Sequence, residues 1–196
     1  MEVDKTQLIG YAAIIVIVIS LASLGLKFTG FATATDTGVV NVTITASAAI
    51  NFTTDFINFG SGSVTAGQPN ATVNTEGTLT GGTGWSGANN LTLENIGNVN
   101  VSLGLKSDKL ASAFIGGTNP KFQFRVINGT EPLSCFNNSA TTYTEFTTSD
   151  NTVCTNFPFA DTKDQVTVAI QLVIPSDAVS GIAAQTATIT ATGTYS

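Results

Sequence analysis

From residue 40 onward the chain contains six runs in which apolar and polar residues alternate. Successive side chains of a β-strand point to opposite faces, so this pattern gives each strand one apolar face for a core and one polar face for water. Strands of this kind are typical of antiparallel sheets. The alternating runs cover 40–46, 91–93, 99–105, 122–126, 166–174 and 187–195.

Turn-forming residues separate the alternating runs. They are Gly60-Ser61-Gly62, Gly81–Gly84, Gly97-Asn98, Gly116-Gly117, Asn128-Gly129 and Pro175-Ser176-Asp177. Short strands with frequent turns favour a single antiparallel β-sandwich over a closed barrel. The sequence Ile96-Gly97-Asn98 predicts a tight hairpin, and one helical turn is expected within 107–114. We therefore predict a mainly β chain, with a β-sandwich domain at 35–196.

The N-terminal part, 1–34, is predicted to be a hydrophobic helix and a linker. Leu8 to Leu26 is a run of nineteen residues without a charge. At about 1.5 Å rise per residue it spans a bilayer core of about 30 Å. The apolar residues that would anchor or assemble this helix are Ile14, Ile15, Ile17, Ile19 and Leu21.

Three interpretations of the helix remain open. A retained signal anchor is favoured, because the apolar run exceeds the roughly 7–15 residues of a signal-peptide core. A cleaved signal peptide is the second, since Ala32-Thr33-Ala34 supplies a small-x-small pattern before Thr35. The third is a pilin-type helix that leaves the membrane and forms the core of a filament.

The cysteine and histidine counts limit the chemistry of the chain. There are two cysteines, Cys135 and Cys154, and no histidine. Two cysteines do not complete a four-ligand zinc site. In an oxidising compartment they are expected to form one disulfide; the alternative is a pair of free buried thiols.

No catalytic motif is present, and we predict that the protein is not an enzyme and has no cofactor. The absence of histidine removes the commonest general base. P-loop, Gly-x-Ser-x-Gly and dinucleotide fingerprints are missing too. Asp150, Asp161 and Asp164 could supply carboxylates to a calcium site, but a solvated acidic loop is the favoured interpretation. No metal site is therefore predicted.

Charge excludes a nucleic-acid partner. The net charge is −6, and the part after Thr35 holds eleven acidic and five basic residues. Phosphate binding needs clustered Lys and Arg, and the five basic residues are scattered along the chain.

Seven Asn-x-Ser/Thr sequons make N-glycosylation a prediction. A glycan on the polar phase of a strand projects without disturbing a core. Three of the seven, at positions 41, 90 and 100, lie on the polar phase of their runs. The candidate residues are Asn41, Asn51, Asn70, Asn90, Asn100, Asn128 and Asn137.

The order of these segments resembles prokaryotic surface-filament subunits, above all archaeal type IV pilin-like and archaellin-like proteins. The stretches Leu91–Val101 and Ile174–Ala178 resemble hairpins of Ig-like archaeal envelope proteins. The resemblance implies an Ig-like sandwich, often glycosylated, and assembly through the N-terminal helix. Gly10-Tyr11 resembles a prepilin cleavage site, although Ile9 stands where a basic residue is usual and no acidic residue follows in the apolar run.

The leading expectation is therefore a structural subunit of an extracellular filament or surface layer. Its expected partners are copies of itself and the membrane, and its expected location is the cell surface. A second likeness, to filament subunits that donate a strand to a neighbour, makes Val40, Val42 and Ile44 a candidate donor strand. The alternative function is a membrane-tethered adhesion or binding module, for which Trp85 is the candidate aromatic.

Overall fold

The computed structural model describes residues 39–87, 89–129, 131–178 and 185–195. Within these ranges no helix is long and apolar enough to span a membrane. The predicted N-terminal helix lies outside the described residues, with Ile14, Ile15, Ile17, Ile19, Leu21 and the candidate cleavage site Ala32–Ala34. The chain divides into two units between Ile44 and Thr45, and the fold that follows is that of the second unit.

The described chain is mainly β and its sheets are antiparallel, as the alternation predicts. One helical turn, α1 (Ala111–Phe114), lies within the predicted range 107–114. The strands are β1 (Ile50–Thr54), β2 (Ser63–Val64), β3 (Asn70–Asn74), β4 (Leu79–Thr80), β5 (Gly82–Thr83), β6 (Leu91–Asn95), β7 (Val101–Ser107), β8 (Lys121–Ile127), β9 (Thr144–Glu145), β10 (Asn151–Phe157), β11 (Gln165–Pro175) and β12 (Ile189–Thr194).

The larger sheet is organised around β11, the longest described strand at eleven residues. Strand β8 pairs with 167–173 along one edge of β11. The other edge is shared, because β6 pairs with 165–168 and β3 with 171–175. Strands β1, β4 and β9 extend this sheet from β6, β3 and β8. The length of β11 thus lets one strand hold two others in tandem.

The smaller sheet has the order β10-β7-β12 among the described strands. Its apolar face joins that of the larger sheet in one hydrophobic core. Val101, Leu103 and Leu105 of β7 are at most 2% exposed, and so are Phe124 of β8 and Val168 of β11. Burial of both apolar faces in a shared core is the main stabilising contribution expected for such a fold.

Two expectations about individual strands are wrong. The alternating run 40–46 forms no strand, and the first strand begins at Ile50. The predicted hairpin at Ile96-Gly97-Asn98 does not exist either, because β6 belongs to the larger sheet and β7 to the smaller one. The segment 96–100 therefore carries the chain from one sheet to the other.

The ending Ile174–Ala178 is likewise not part of a hairpin. Strand β11 ends at Pro175 in the larger sheet, whereas β12 pairs with β7 in the smaller sheet. The strands before the two connections, β6 and β11, lie in the larger sheet, and the strands after them, β7 and β12, lie in the smaller sheet. All four turn an apolar face toward the shared core. Alternation reports which face is apolar and not which sheet a strand joins, so both expectations failed for the same reason.

Candidate functional site

The predicted disulfide between Cys135 and Cys154 is confirmed. The two Cα atoms are 5.1 Å apart and both residues are buried. Cys154 lies in β10 of the smaller sheet, and Cys135 lies in the loop that follows β8 of the larger sheet. The bond therefore links a connection of one sheet to a strand of the other.

Three of the seven sequon asparagines use their side-chain amides inside the fold. The Asn90 side-chain oxygen accepts a hydrogen bond from the Thr75 hydroxyl. The Asn128 side-chain oxygen accepts one from the backbone N–H of Cys135 at 3.0 Å. Asn137 Nδ2, the atom that would carry a sugar, donates to the Thr155 hydroxyl at 3.0 Å. A sugar on Nδ2 would compete with the contact of Asn137, whereas in Asn90 and Asn128 the engaged atom is the side-chain oxygen.

Three further sequon asparagines of the β unit are exposed and have free amides. Asn51 in β1, Asn70 at the start of β3 and Asn100 before β7 make no side-chain hydrogen bond within the described residues. Asn41 belongs to the first unit and is exposed too. The structure therefore divides seven equivalent sequence motifs into engaged and accessible ones.

Asn100 also lines a groove at the end of the smaller sheet where β7 begins. The groove has a volume of about 460 Å³ and is formed where β7, β10 and β12 meet the connections around them. Its polar lining includes Ser102 and Thr155, and its aromatic lining is Phe159 and Tyr195. Phe159 and Tyr195 are 44% and 56% exposed. Sequence alternation gave no sign of this groove.

A charged cluster on the larger sheet was also missed by sequence reasoning. Glu76 forms an ion pair with Arg125 of β8 and accepts a 2.6 Å hydrogen bond from the Tyr143 hydroxyl. The Arg125 guanidinium lies 5.4 Å from the centre of the Tyr143 ring. Arg125 lies 49 residues after Glu76 and Tyr143 lies 67 residues after it, so no local sequence motif predicts the cluster. The cluster fastens the turn after β3 to β8 and to the segment before β9.

The pKa values of the cluster follow from these contacts. Burial alone would raise the pKa of Glu76, but the hydrogen bonds from Arg125 and Tyr143 and the guanidinium charge outweigh it and lower the pKa. Burial and the hydrogen bond to the carboxylate raise the pKa of Tyr143 well above the ordinary tyrosine value of about 10.

We expect the Tyr143 contribution to stability to be complete below pH ~10 and to be lost as pH rises further, because a raised pKa stabilises the protonated phenol only in the folded chain. The contribution of Glu76 to stability has the opposite pH dependence. It is complete above the ordinary glutamate pKa of about 4.5 and is lost as pH falls below that value. Absorbance titration of folded wild type and Tyr143→Phe measures the first effect. If the variant removes a tyrosinate signal centred near pH 10, the assignment is wrong.

Trp85 is not the exposed aromatic that a binding tip would require. Its side chain is half-buried and packs against the core. A Cβ on Gly62 would stand 2.5 Å from the Trp85 ring and one on Gly82 would stand 3.0 Å from it, so both glycines permit the ring to pack closely against the backbone. The ring also lines a second groove, of about 690 Å³, together with Gly62–Pro69.

The acidic residues considered for calcium do not form one group. Asp150 lies 3.5 Å from Lys106 and accepts hydrogen bonds from Thr192. Asp161 and Asp164 follow the other end of β10. Among the described residues no three acidic, Cys or His side chains are placed to hold a metal ion.

The candidate donor segment is exposed along its whole described length. Val39, Val40, Val42 and Ile44 are 80–92% exposed, and 39–49 has no strand partner. Further along, Asn98 holds the start of the second unit by donating to the Thr45 carbonyl and accepting from the Ser47 N–H. A strand-like apolar pattern is thus present without the sheet that would bury it.

Comparisons with known proteins give no relative: no family model, no curated protein and no solved structure matches this chain.

Proposed function

We propose that this protein is a structural subunit of an extracellular filament or surface layer, of the archaeal type IV pilin-like or archaellin-like kind, and not an enzyme. In this proposal the β unit is an Ig-like sandwich held outside the cell, and the N-terminal helix anchors the chain or forms the filament core. Copies of the chain are its main partners.

The observation that carries the proposal is the exposed apolar segment at 39–44. Its four large apolar side chains remain in water, although burying one such side chain contributes about 1.5–3 kcal/mol. The period-two pattern is that of a strand with one buried face. A neighbouring copy supplies the missing sheet or apolar surface if Val40, Val42 and Ile44 act as a donor strand.

The disulfide supports the extracellular location. Disulfides persist in oxidising compartments and are rare where thioredoxin and glutathione keep thiols reduced. Cys135 and Cys154 are joined inside the fold, and no free cysteine is present among the described residues.

Electron microscopy of native surface material tests the proposal directly. We expect filaments or lattices in which immunogold labelling and mass spectrometry identify this chain as the repeating component. Isolated membrane-bound monomers would contradict a structural role.

Substitution of the apolar phase of the segment should prevent assembly. Val42→Asp/Ile44→Asp places two charges where burial is required, and we expect at least a tenfold loss of polymer with the melting temperature of the β unit unchanged, since these side chains are exposed in the single chain. Thr45→Asp is the control on the polar phase, because a change at Thr43 would also remove the sequon of Asn41. Equal assembly by both variants, measured by sedimentation, would exclude the segment from the contact.

A membrane-tethered binding module is the second candidate. The observation that favours it is the groove with exposed Phe159 and Tyr195, because ligand sites combine aromatic walls with a few polar groups. The same micrographs separate the two functions, since a solitary binding module forms no repeating assembly.

A further inference from the structure

We propose that Asn100 carries an N-linked glycan whose first sugars lie in the groove between Phe159 and Tyr195. The inference rests on the extracellular location proposed above, because the modification requires contact with a membrane-bound oligosaccharide transferase. In this proposal the groove is filled by a glycan that is attached to the same chain.

The first argument is the state of the Asn100 side chain. Asn100 begins the sequon Asn100-Val101-Ser102 and is exposed, while Val101 next to it is 2% exposed and points into the core. Adjacent residues of an extended chain face opposite sides, so Asn100 faces water. Its amide makes no hydrogen bond with any described residue, and a sugar on Nδ2 displaces no partner.

The second argument is the chemistry of the groove that Asn100 lines. Sugar rings present C–H faces, which pack on the negative faces of aromatic rings, and hydroxyls, which need hydrogen-bond partners. Phe159 and Tyr195 supply the rings, and Thr194 and the Tyr195 phenol supply hydroxyl groups. The volume of about 460 Å³ lies within the range of small-molecule sites, about 300–1,000 Å³.

The third argument is the contrast with the other accessible sequons of the β unit. Asn51 and Asn70 are exposed and free, but neither lines the groove of Phe159 and Tyr195 or the groove beside Trp85. Asn100 lines the first of these two grooves, so its amide lies next to a surface suited to an attached sugar.

The modification is a group transfer from a lipid-phosphate-linked oligosaccharide. Asn100 Nδ2 attacks the anomeric carbon of the first sugar and forms the N–C bond. The bond from that carbon to the lipid phosphate oxygen breaks, the lipid phosphate leaves with the bonding electrons, and one amide proton passes to a base of the transferase. No oxidation or reduction is involved.

Glycopeptide mass spectrometry of the full chain from its native surface tests occupancy. We expect a glycan on the peptide that contains Asn100 and an unmodified Asn137, whose Nδ2 is already engaged. An unmodified Asn100 in extracellular protein overturns the inference and leaves the filament proposal standing. Reduced Cys135 and Cys154 in a cytosolic protein would instead remove the proposed function itself.

A melting-temperature cycle tests the position of the glycan. In the native host, Asn100→Gln removes the sugar and is expected to lower the melting temperature by about 3 °C. In the Phe159→Ala/Tyr195→Ala background the same change should lower it by less than about 1 °C, because the rings no longer hold the glycan. Asn70→Gln is the matched control, and its shift should be below about 1 °C in both backgrounds. Equal shifts from Asn100→Gln with and without the rings would overturn the packing.

Discussion

Reduction of the Cys135–Cys154 disulfide is expected to lower the melting temperature of the β unit by about 9 °C. The bond closes a loop with a sequence separation of 19. Constraining a loop of this length in the unfolded chain is worth about 3 kcal/mol, and each kcal/mol moves the melting temperature of a domain of this size by about 2–4 °C. Calorimetry with and without reductant measures the shift.

Hydrogen bonds also hold the loop around Cys135 to β10, so reduction is expected to lower stability without releasing the loop. The Phe136 N–H donates to the Asn156 carbonyl at 3.1 Å, and the Ser139 N–H donates to the Val153 carbonyl at 3.0 Å. The double variant Cys135→Ala/Cys154→Ala is the control, and reductant should leave its melting temperature unchanged. A wild-type protein that melts at the same temperature after its thiols are shown to be free would contradict the expectation.

Asn95→Ala is expected to destabilise the fold by about 3 kcal/mol. Asn95 ends β6 and is 1% exposed. Its Nδ2 donates to the carbonyls of Val99 and Phe157, both at 3.0 Å, and its Oδ1 accepts from the Gly97 N–H at 3.1 Å. Alanine leaves these buried or half-buried backbone groups without partners, and an orphaned buried group typically costs about 1–3 kcal/mol.

Asn95→Asp separates the hydrogen-bond argument from a simple loss of volume. The carboxylate keeps an acceptor for the Gly97 N–H. It replaces the amide donor with a second oxygen, which cannot donate to the carbonyls of Val99 and Phe157, and it adds a buried charge. We expect it to be at least as destabilising as alanine at neutral pH and less so in acid. Asn51→Ala on exposed β1 is the matched control, with a change within about 0.5 kcal/mol. Chemical denaturation of the four proteins measures the differences, and equal stability of wild type and Asn95→Ala would refute the role.

Five of the twelve described strands, and the core faces of those five, followed from local pattern. Strands β6, β7, β8, β11 and β12 lie on alternating runs because each buries one side of a pleated strand. Strand β10 was missed because its pairing with β7 shifts between Thr152 and Cys154 and again between Cys154 and Phe157. These irregularities bury the consecutive residues Val153 and Cys154, which breaks the period of two.

The candidate sites depended more heavily on tertiary structure. Sequence identified seven sequons and the cysteine pair, since both are matters of residue type. It gave no means to separate Asn100 from Asn137, because the partner that engages Asn137 is Thr155, eighteen residues away. The groove beside Asn100 likewise needs Phe159, which follows β10, and Tyr195, which follows β12, to lie at the same end of the smaller sheet.

The sequence by itself determined that this chain forms two-faced strands, has two cysteines able to pair, and lacks histidine for catalysis. Only the tertiary structure decided that β6 and β7 lie in different sheets, that Glu76, Arg125 and Tyr143 meet, and that the run 40–46 has no strand partner. The physical reason is that strands pair through backbone N–H and C=O groups that nearly all residues share. The side-chain pattern therefore fixes which face of a strand is buried, whereas the neighbours of that strand are chosen by the packing of the whole core.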